Sequence, residues 1–336
     1  MPRKKKPSGK NKKKGKPPDE KIIRQESSGK KRETHLPLQQ SGKPKGWIAA
    51  CLIALVLGTL FLYFPVTKLH FTNWDDPTYV TENENVKNFT CETLLDFFTG
   101  PEASNWHPLT MITLGIDYIT GSENGSSQTE ENINPLPFHI TNLILFILNV
   151  VLVFLFIFLI SDRNILVSFI TAGLFAIHPV HVESVAWVSE RKDVLYGLFF
   201  IAGLATYTRY VQSGKFKFFW YTLALFILSV LSKPAAVVFP LVCFAIDYYL
   251  HRKPGRRIWL EKIPMLVISI AAGLTTYLIQ SKIAIADFST FSVFQRFLFA
   301  SYGFFMYLYN LLLPFNLSVF YPYPFLSSSG YLPVIF

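Results

Sequence analysis

At 336 residues, 51% hydrophobic and 16% aromatic, with a mean hydropathy of +0.32, the chain has the composition of a polytopic membrane protein, and no water-soluble domain is needed to account for it. The net charge of +10 resembles a nucleic-acid signal until it is divided along the chain: residues 1–46 carry +12 and the remainder carries −2. The positive charge belongs to a tail, so no nucleic-acid partner is expected.

That tail runs from Lys4-Lys5-Lys6 through Lys12-Lys13-Lys14 to Lys43 and is rich in Gly, Ser and Pro. It has too few apolar residues to bury a core, which predicts a disordered basic cytoplasmic tail over 1–46. Contact with anionic membrane lipids is a natural addition. The apolar run begins only at Trp47 and is too long for a typical cleaved signal peptide. Cys51, Cys91 and Cys243 have no metal-type spacing and outline no disulfide framework.

Residues 47–66 are free of charge and long enough for a helix to cross roughly 30 Å of hydrocarbon. Residues 67–137 follow as a loop with eleven acids against Lys68 and Lys87. A −9 loop facing a +12 tail orients the chain with its amino terminus in the cytoplasm and this first loop outside. Within the loop, Leu94, Leu95 and Phe98, then Leu109, Ile112, Ile116 and Ile119, recur at helical spacing. They predict short amphipathic helices over 91–99 and 108–120, lying along the interface. Residues 121–134 form a turn-rich insert.

Further spans are predicted at 138–160, 165–177, 194–210, 218–231, 235–250, 263–279 and 297–313. Arg209, Lys215 and Lys217, and later Arg252, Lys253, Arg256 and Arg257, mark inner turns. Asn142 and Asn149, seven apart, share one face of their span and are placed to hydrogen-bond a neighbouring helix. Tyr331 opens what reads as another apolar segment, so residues 47–336 are expected to be an incomplete membrane domain.

After the tail, the notable charges gather on the outer side: Asp75-Asp76, Glu183, Arg191-Lys192-Asp193, Lys233 and Arg296. A carboxylate beside a hydroxyl acceptor serves as a general base, which makes Asp75, Asp76, Glu183 and Asp193 the candidate catalytic residues. Cations that grip a phosphate offset the charge on a leaving group, which makes Arg191, Lys192, Lys233 and Arg296 the candidate phosphate ligands. Two carboxylates on neighbouring loops are equally suited to a divalent cation, and sequence does not separate that role from a base. His178 and His181 have no third ligand at a recognised zinc spacing. Simpler readings stand beside these: Asp75-Asp76-Pro77 as a turn or helix cap, Lys233 as a snorkelling anchor, and 191–193 as a solvated cluster.

Several blocks carry a resemblance. They are Asn73-Trp74-Asp75-Asp76-Pro77, Asn105-Trp106-His107-Pro108-Leu109-Thr110, Phe138-His139-Ile140-Thr141-Asn142-Leu143, the sixteen residues from His178 to Asp193, and Ser232-Lys233-Pro234. Over about residues 47–325 the chain resembles the membrane half of bacterial tetratricopeptide-repeat membrane proteins. These are similar to the eukaryotic transmembrane and tetratricopeptide-repeat O-mannosyltransferases of the C-type integral-membrane glycosyltransferase superfamily. The resemblance implies an all-α helical bundle and an inverting transfer on the extracytoplasmic face. The implied donor is a sugar on polyprenyl or dolichyl phosphate, and the acceptor a hydroxyl of a protein or glycan. It sets Asp75 and Asp76 on the acidic motif of the first outer loop, Glu183, Arg191 and Asp193 on the second loop's motif, and Lys233 on an outer helix end. The repeats of that family are absent from the sequence, and the 121–134 insert is longer than the family pattern. A transporter or flippase for a lipid-linked sugar is the rival reading; charge inside the spans would favour it, and the predicted spans are nearly free of charge, with Asp247 near an inner helix end. A non-catalytic anchor for a repeat scaffold is the third.

Overall fold

The computed structural model describes residues 45–102, 105–121, 133–281, 292–315 and 317–318. The basic tail, nearly all of the 121–134 insert and the segment from 319 onward lie outside these residues, and so do the expectations made for them.

The apolar runs become helices. α1 (Lys45–Tyr63) continues into a 3-10 turn at Phe64–Lys68. Three short helices, α2 (Glu84–Lys87), α3 (Cys91–Thr99) and α4 (Pro108–Gly121), occupy the first loop. The remainder is α5 (Leu136–Ile160), α6 (Ile165–Ile177), α7 (His181–Ala186), α8 (Arg191–Ser213), α9 (Phe216–Ser232), α10 (Phe239–Tyr249), α11 (Arg256–Gln280) and α12 (Val293–Leu312). Among the described residues there is no strand, only an isolated bridge between Glu102 and Asn105. Among the described residues four helical segments, Gly46–Lys68, Leu136–Ile160, Val188–Ser213 and Arg256–Gln280, are long and apolar enough to cross a membrane, and three shorter apolar helices accompany them. The described chain is an all-α polytopic membrane protein.

Local chemistry sets the helix ends. Thr90 and Ser292 form reciprocal capping boxes at the starts of α3 and α12. Asn164 accepts from the Val167 amide to start α6. Gly214, at φ +66°, ends α8 in the left-handed region that glycine enters without penalty.

Three apolar clusters hold the helices together. Leu55, Phe146, Phe154 and Ala172 join α1, α5 and α6. Tyr207, Phe226, Phe239 and Met265 join α8 to α11. Tyr79, Val86, Phe97, Met111, Phe138 and Val188 build a separate core under the first loop. There α4 passes so close to the Phe89 ring that a Cβ on Gly115 would lie 2.5 Å from it. The apolar stripes predicted for α3 and α4 only partly face this core: Ile112 packs against it, Leu94 and Leu109 are half-buried, and Leu95, Phe98, Ile116 and Ile119 are exposed, while Phe97, Met111 and Leu114 are the buried residues. Outward apolar faces on short helices suit an interfacial position. The same holds for α1, where Phe61 is 86% exposed as a lipid-facing residue would be.

One expectation is corrected. The spans are predicted to be nearly free of charge, the seventh at 263–279, but α11 begins at Arg256 and so includes Glu261 and Lys262, both buried. Lys262 Nζ donates to Asp247 Oδ2 at 2.6 Å and also contacts the Tyr207 hydroxyl. Arg252 makes two bonds to Glu261, at 2.6 and 2.9 Å. The network ties α8, α10 and α11 together at the far end of α8, satisfying charges that would otherwise be costly to bury.

Candidate functional site

The first loop is pinned through Asp76. Its side chain is fully buried and accepts four hydrogen bonds: from the Thr72 amide at 2.7 Å, the Thr72 hydroxyl at 3.1 Å, the Ser189 amide at 2.9 Å and the Ser189 hydroxyl at 2.5 Å. A carboxylate saturated in this way holds the loop against the entrance to α8 and presents no lone pair to a substrate. Asp75, its neighbour, is exposed. Its backbone carbonyl accepts from the Tyr79 amide at 3.0 Å, which starts the turn Pro77–Thr81.

Three consecutive residues at the start of α8 take three directions. Arg191 is fully buried and spends its fork inward, on Asn142 Oδ1 (2.5 Å), Asp117 Oδ2 (2.5 Å), the Phe138 carbonyl (2.8 Å) and the Thr113 carbonyl (3.3 Å). A guanidinium has five N–H donors; here three hydrogen bonds and the ion pair to Asp117 commit it to the protein. Burial raises the pKa of Asp117, and Arg191 is the main influence opposing the rise. Lys192 turns the other way: its Nζ lies 3.0 Å from Glu190 and 4.9 Å from the centre of the Tyr79 ring. Asp193 pairs with Lys233, which also lies 3.8 Å from Glu190, and Ser184 Oγ lies 3.5 Å from Asp193.

The spacing of Asn142 and Asn149 is explained here. Asn142 accepts from Arg191 and donates to the Trp187 carbonyl at 3.2 Å, and Asn149 donates to the Val194 carbonyl at 2.7 Å. Together they fix the start of α8 against α5.

Two clefts are lined by parts of this cluster and its neighbours. One, of about 370 Å³, is lined by Lys192, Lys233, His107, Asn105, Thr276 and Gln280, with apolar residues of the turn Pro234–Val238. The other, of about 920 Å³, is lined by Glu183, Trp74, Trp187, Asn73, Asn310 and Leu311. Trp74 and Trp187 meet edge to face at 5.8 Å. Glu183 is held above the usual carboxylate range, first by burial and then by the charge of Glu190, with Lys233 and Lys192 acting in the opposite sense. The Tyr79 hydroxyl is also pushed up by burial, against the pull of Lys192, and the charge of Asp75 adds to the rise.

The structure therefore brings Glu183, Lys192, Asp193 and Lys233 together, with Asp75 acting on the same tyrosine as Lys192. Asp76 and Arg191 lie beneath them as supports. Arg296 does not join: it lies on α12 fifteen residues from Leu311, roughly 22 Å along a helix, and lines neither cleft. The sequence reading placed it at the site because it falls at a predicted helix end, but α12 meets the cluster through its other end, where His178 Nε2 lies 2.9 Å from the Leu311 carbonyl. Three residues escaped the sequence reading. Glu190 sits inside the quoted block without being singled out, Asp117 is an acid on an otherwise apolar helix, and His107 is a histidine just before a helix-starting proline. Among the described residues, no group of three or more His, Cys, Asp or Glu side chains is placed to hold a metal ion.

No family model matches the chain, and no solved structure gives a significant match. Similarity to characterised sequences is nevertheless clear. Protein O-mannosyl-transferase TMTC1 of Homo sapiens is 33% identical over 115 residues, covering 33% of this chain and 11% of that protein. Protein O-mannosyl-transferase TMTC4 of Homo sapiens is 29% identical over 182 residues, 46% of this chain and 23% of its own length. Protein O-mannosyl-transferase Tmtc1 of Drosophila melanogaster is 27% identical over 147 residues, 43% of this chain and 15% of its own length. The matches span less than a quarter of each of these relatives. Over the matched part of its length, the chain resembles the TMTC protein O-mannosyl-transferases.

Proposed function

We propose that this chain is the membrane part of an inverting glycosyltransferase. It moves a sugar, mannose in the first instance, from a polyprenyl or dolichyl phosphate to a hydroxyl of a protein or glycan. The outer loop containing Asp75 lies on the extracytoplasmic face, with the amino terminus in the cytoplasm. One observation carries the reading: two lysines, Lys192 of α8 and Lys233 at the end of α9, line one cleft and are held there by ion pairs to the carboxylates Glu190 and Asp193.

Each ammonium has three donors, so a lysine already paired with a carboxylate retains capacity for a phosphate oxygen. The smaller cleft takes the glycosyl phosphate, with Lys192 and Lys233 offsetting charge on the departing lipid phosphate. The acceptor hydroxyl enters from the larger cleft, where the Trp74 and Trp187 rings supply a platform. Asp75, exposed beside the lysine pair, removes the acceptor proton, and Glu183 is the second candidate for that step. The hydroxyl oxygen then bonds to the anomeric carbon from the face opposite the departing phosphate, and the bond to the phosphate oxygen breaks with inversion.

A transporter for the same lipid is the second reading, and the buried Asp247–Lys262 pair is the feature that favours it. In vitro transfer by the purified full-length protein, from a panel of polyprenyl-phosphate sugars to peptide acceptors, decides between the two. Movement of the lipid across a bilayer without transfer would overturn the enzyme reading.

A further inference from the structure

His107 lies just ahead of α4, where its carbonyl accepts from the Thr110 and Met111 amides at 3.0 and 3.3 Å. Its ring stacks on Tyr79, with centroids 5.1 Å apart and planes inclined by 20°, and only 2% of the residue is exposed. Nε2 is buried and has no hydrogen-bond partner in the protein. An unpaired buried polar atom is costly unless something in use satisfies it, and this one belongs to a ring in the wall of the lysine cleft.

Burial, together with the nearby charges of Lys192 and Lys233, pushes the imidazole down to about 3. At working pH the ring is neutral. It is therefore neither a phosphate ligand nor a general base, but a single hydrogen-bonding nitrogen whose sense the bound group selects. A hydroxyl is the natural complement, because it both donates and accepts. The neighbouring polar groups have the same character. Asn105 Oδ1 accepts from Gln280 Nε2 at 3.0 Å, Thr276 carries a hydroxyl, and none of the three is charged. The cleft thus joins two ammonium groups to a neutral patch of amides, hydroxyl and imidazole, which matches a phosphate attached to a polyhydroxylated ring.

Resting on the reading that this cleft takes the glycosyl phosphate, we propose that His107 Nε2 recognises one hydroxyl of the donor sugar and so helps set which sugar is transferred. The stack on Tyr79 holds the imidazole in place, and the Tyr79 ring in turn lies under Lys192. Sugar recognition and phosphate recognition therefore share one aromatic support.

The test uses the full-length protein in nanodiscs with short-chain polyprenyl-phosphate mannose and its monodeoxy analogues. A site built around a hydroxyl discriminates strongly against the analogue that lacks it, so the wild type should prefer the parent over one analogue by about tenfold or more in kcat/KM. His107→Phe keeps a ring for the stack but has no nitrogen, and should reduce that preference to about twofold. His107→Gln, whose amide reaches the position of Nε2, should keep most of it. His107→Asn is too short to reach and should behave like the Phe variant, so it replaces that variant should His107→Phe not fold. A wild-type analogue profile in the folded Phe or Asn variant overturns the inference while leaving the proposed function standing. Should the wild type transfer none of these sugars, the proposed function fails, and binding then decides the inference separately. Preferential binding of mannosyl phosphate over inorganic phosphate that is lost in His107→Phe supports it, and equal binding of the two by wild type and variant overturns it.

Discussion

Replacing Arg191 with alanine removes a guanidinium that meets no solvent and makes three hydrogen bonds and an ion pair to two other helices, α4 and α5. What remains is the carboxylate of Asp117, its side chain 8% exposed and now without its countercharge, together with the Asn142 oxygen, which loses its donor. Breaking a buried pair from one side costs about 3 to 5 kcal/mol, which for a chain of this size lowers the thermal midpoint by on the order of 10 °C. Arg191→Lys restores charge but not the planar fork, and should recover only a minor part of the loss. The double variant Arg191→Met with Asp117→Leu removes both charges and should be less destabilised than Arg191→Ala alone. Thermal unfolding in detergent measures all three, with donor titrations on the folded fraction. An alanine variant that melted with the wild type and was impaired only in donor affinity would refute this reasoning and return Arg191 to the phosphate.

The two first-loop acids should separate in the same way. Asp75→Asn is expected to cut turnover by roughly 10² to 10⁴ with stability intact, whereas Asp76→Asn, which turns an amide NH2 toward two of the four donors, should cost about 3 kcal/mol of stability. Equal thermal midpoints for the two would contradict that division. Lys233→Ala should weaken donor use by about ten- to a hundredfold, the worth of a charge-assisted bond, and Lys233→Arg should regain part of it. Donor titrations matching the wild type at several salt concentrations would leave Lys233 a helix-end anchor. For His107, the folded pKa of about 3 lies below the ordinary value of 6.5. The unfolded chain therefore takes up a proton first as pH falls, and stability present above pH 6.5 is lost on acidification, by about 2 kcal/mol at pH 5. His107→Phe should flatten the dependence of the thermal midpoint on pH between 7.5 and 5, and parallel curves would rule the linkage out.

Much of the helical framework was legible because bilayer-length apolar runs report themselves: the predicted 138–160 and 165–177 correspond to Leu136–Ile160 and Ile165–Ile177. The short helices of the first loop were equally plain in their apolar spacing, although that spacing marks a mostly outward face and missed Phe97, Met111 and Leu114, which form the core. Long-range pairing was not legible. Nothing in the spacing of Asp117 and Arg191, or of Asp247 and Lys262, says that they meet, because the partners lie on different helices whose relative rotation is settled by packing of the whole bundle. Asp76 illustrates the same limit. An adjacent pair of acids reads as one motif, yet successive residues face different ways, and only tertiary contact reveals that one is enclosed by Ser189 and Thr72 while the other is exposed. Glu261 and Lys262 lie just before the predicted apolar run, in a helix that extends about two turns beyond it.

The first turn of α8 has a consequence for sequence change. Successive helical positions rotate by about 100°, and Arg191, Lys192 and Asp193 use that rotation to address the α4–α5 interior, the first-loop tyrosine and the end of α9 in turn. The order of the three is therefore not permutable. A shuffled Lys-Asp-Arg segment has the same composition, charge and helix propensity, but directs a carboxylate at the first-loop tyrosine and a guanidinium at Lys233. Inserting or deleting one residue at Glu190 displaces all three assignments at once. Drift in this stretch is accordingly confined to replacement in place, while the lipid-facing sides of α1 and α11 are free to exchange one apolar residue for another.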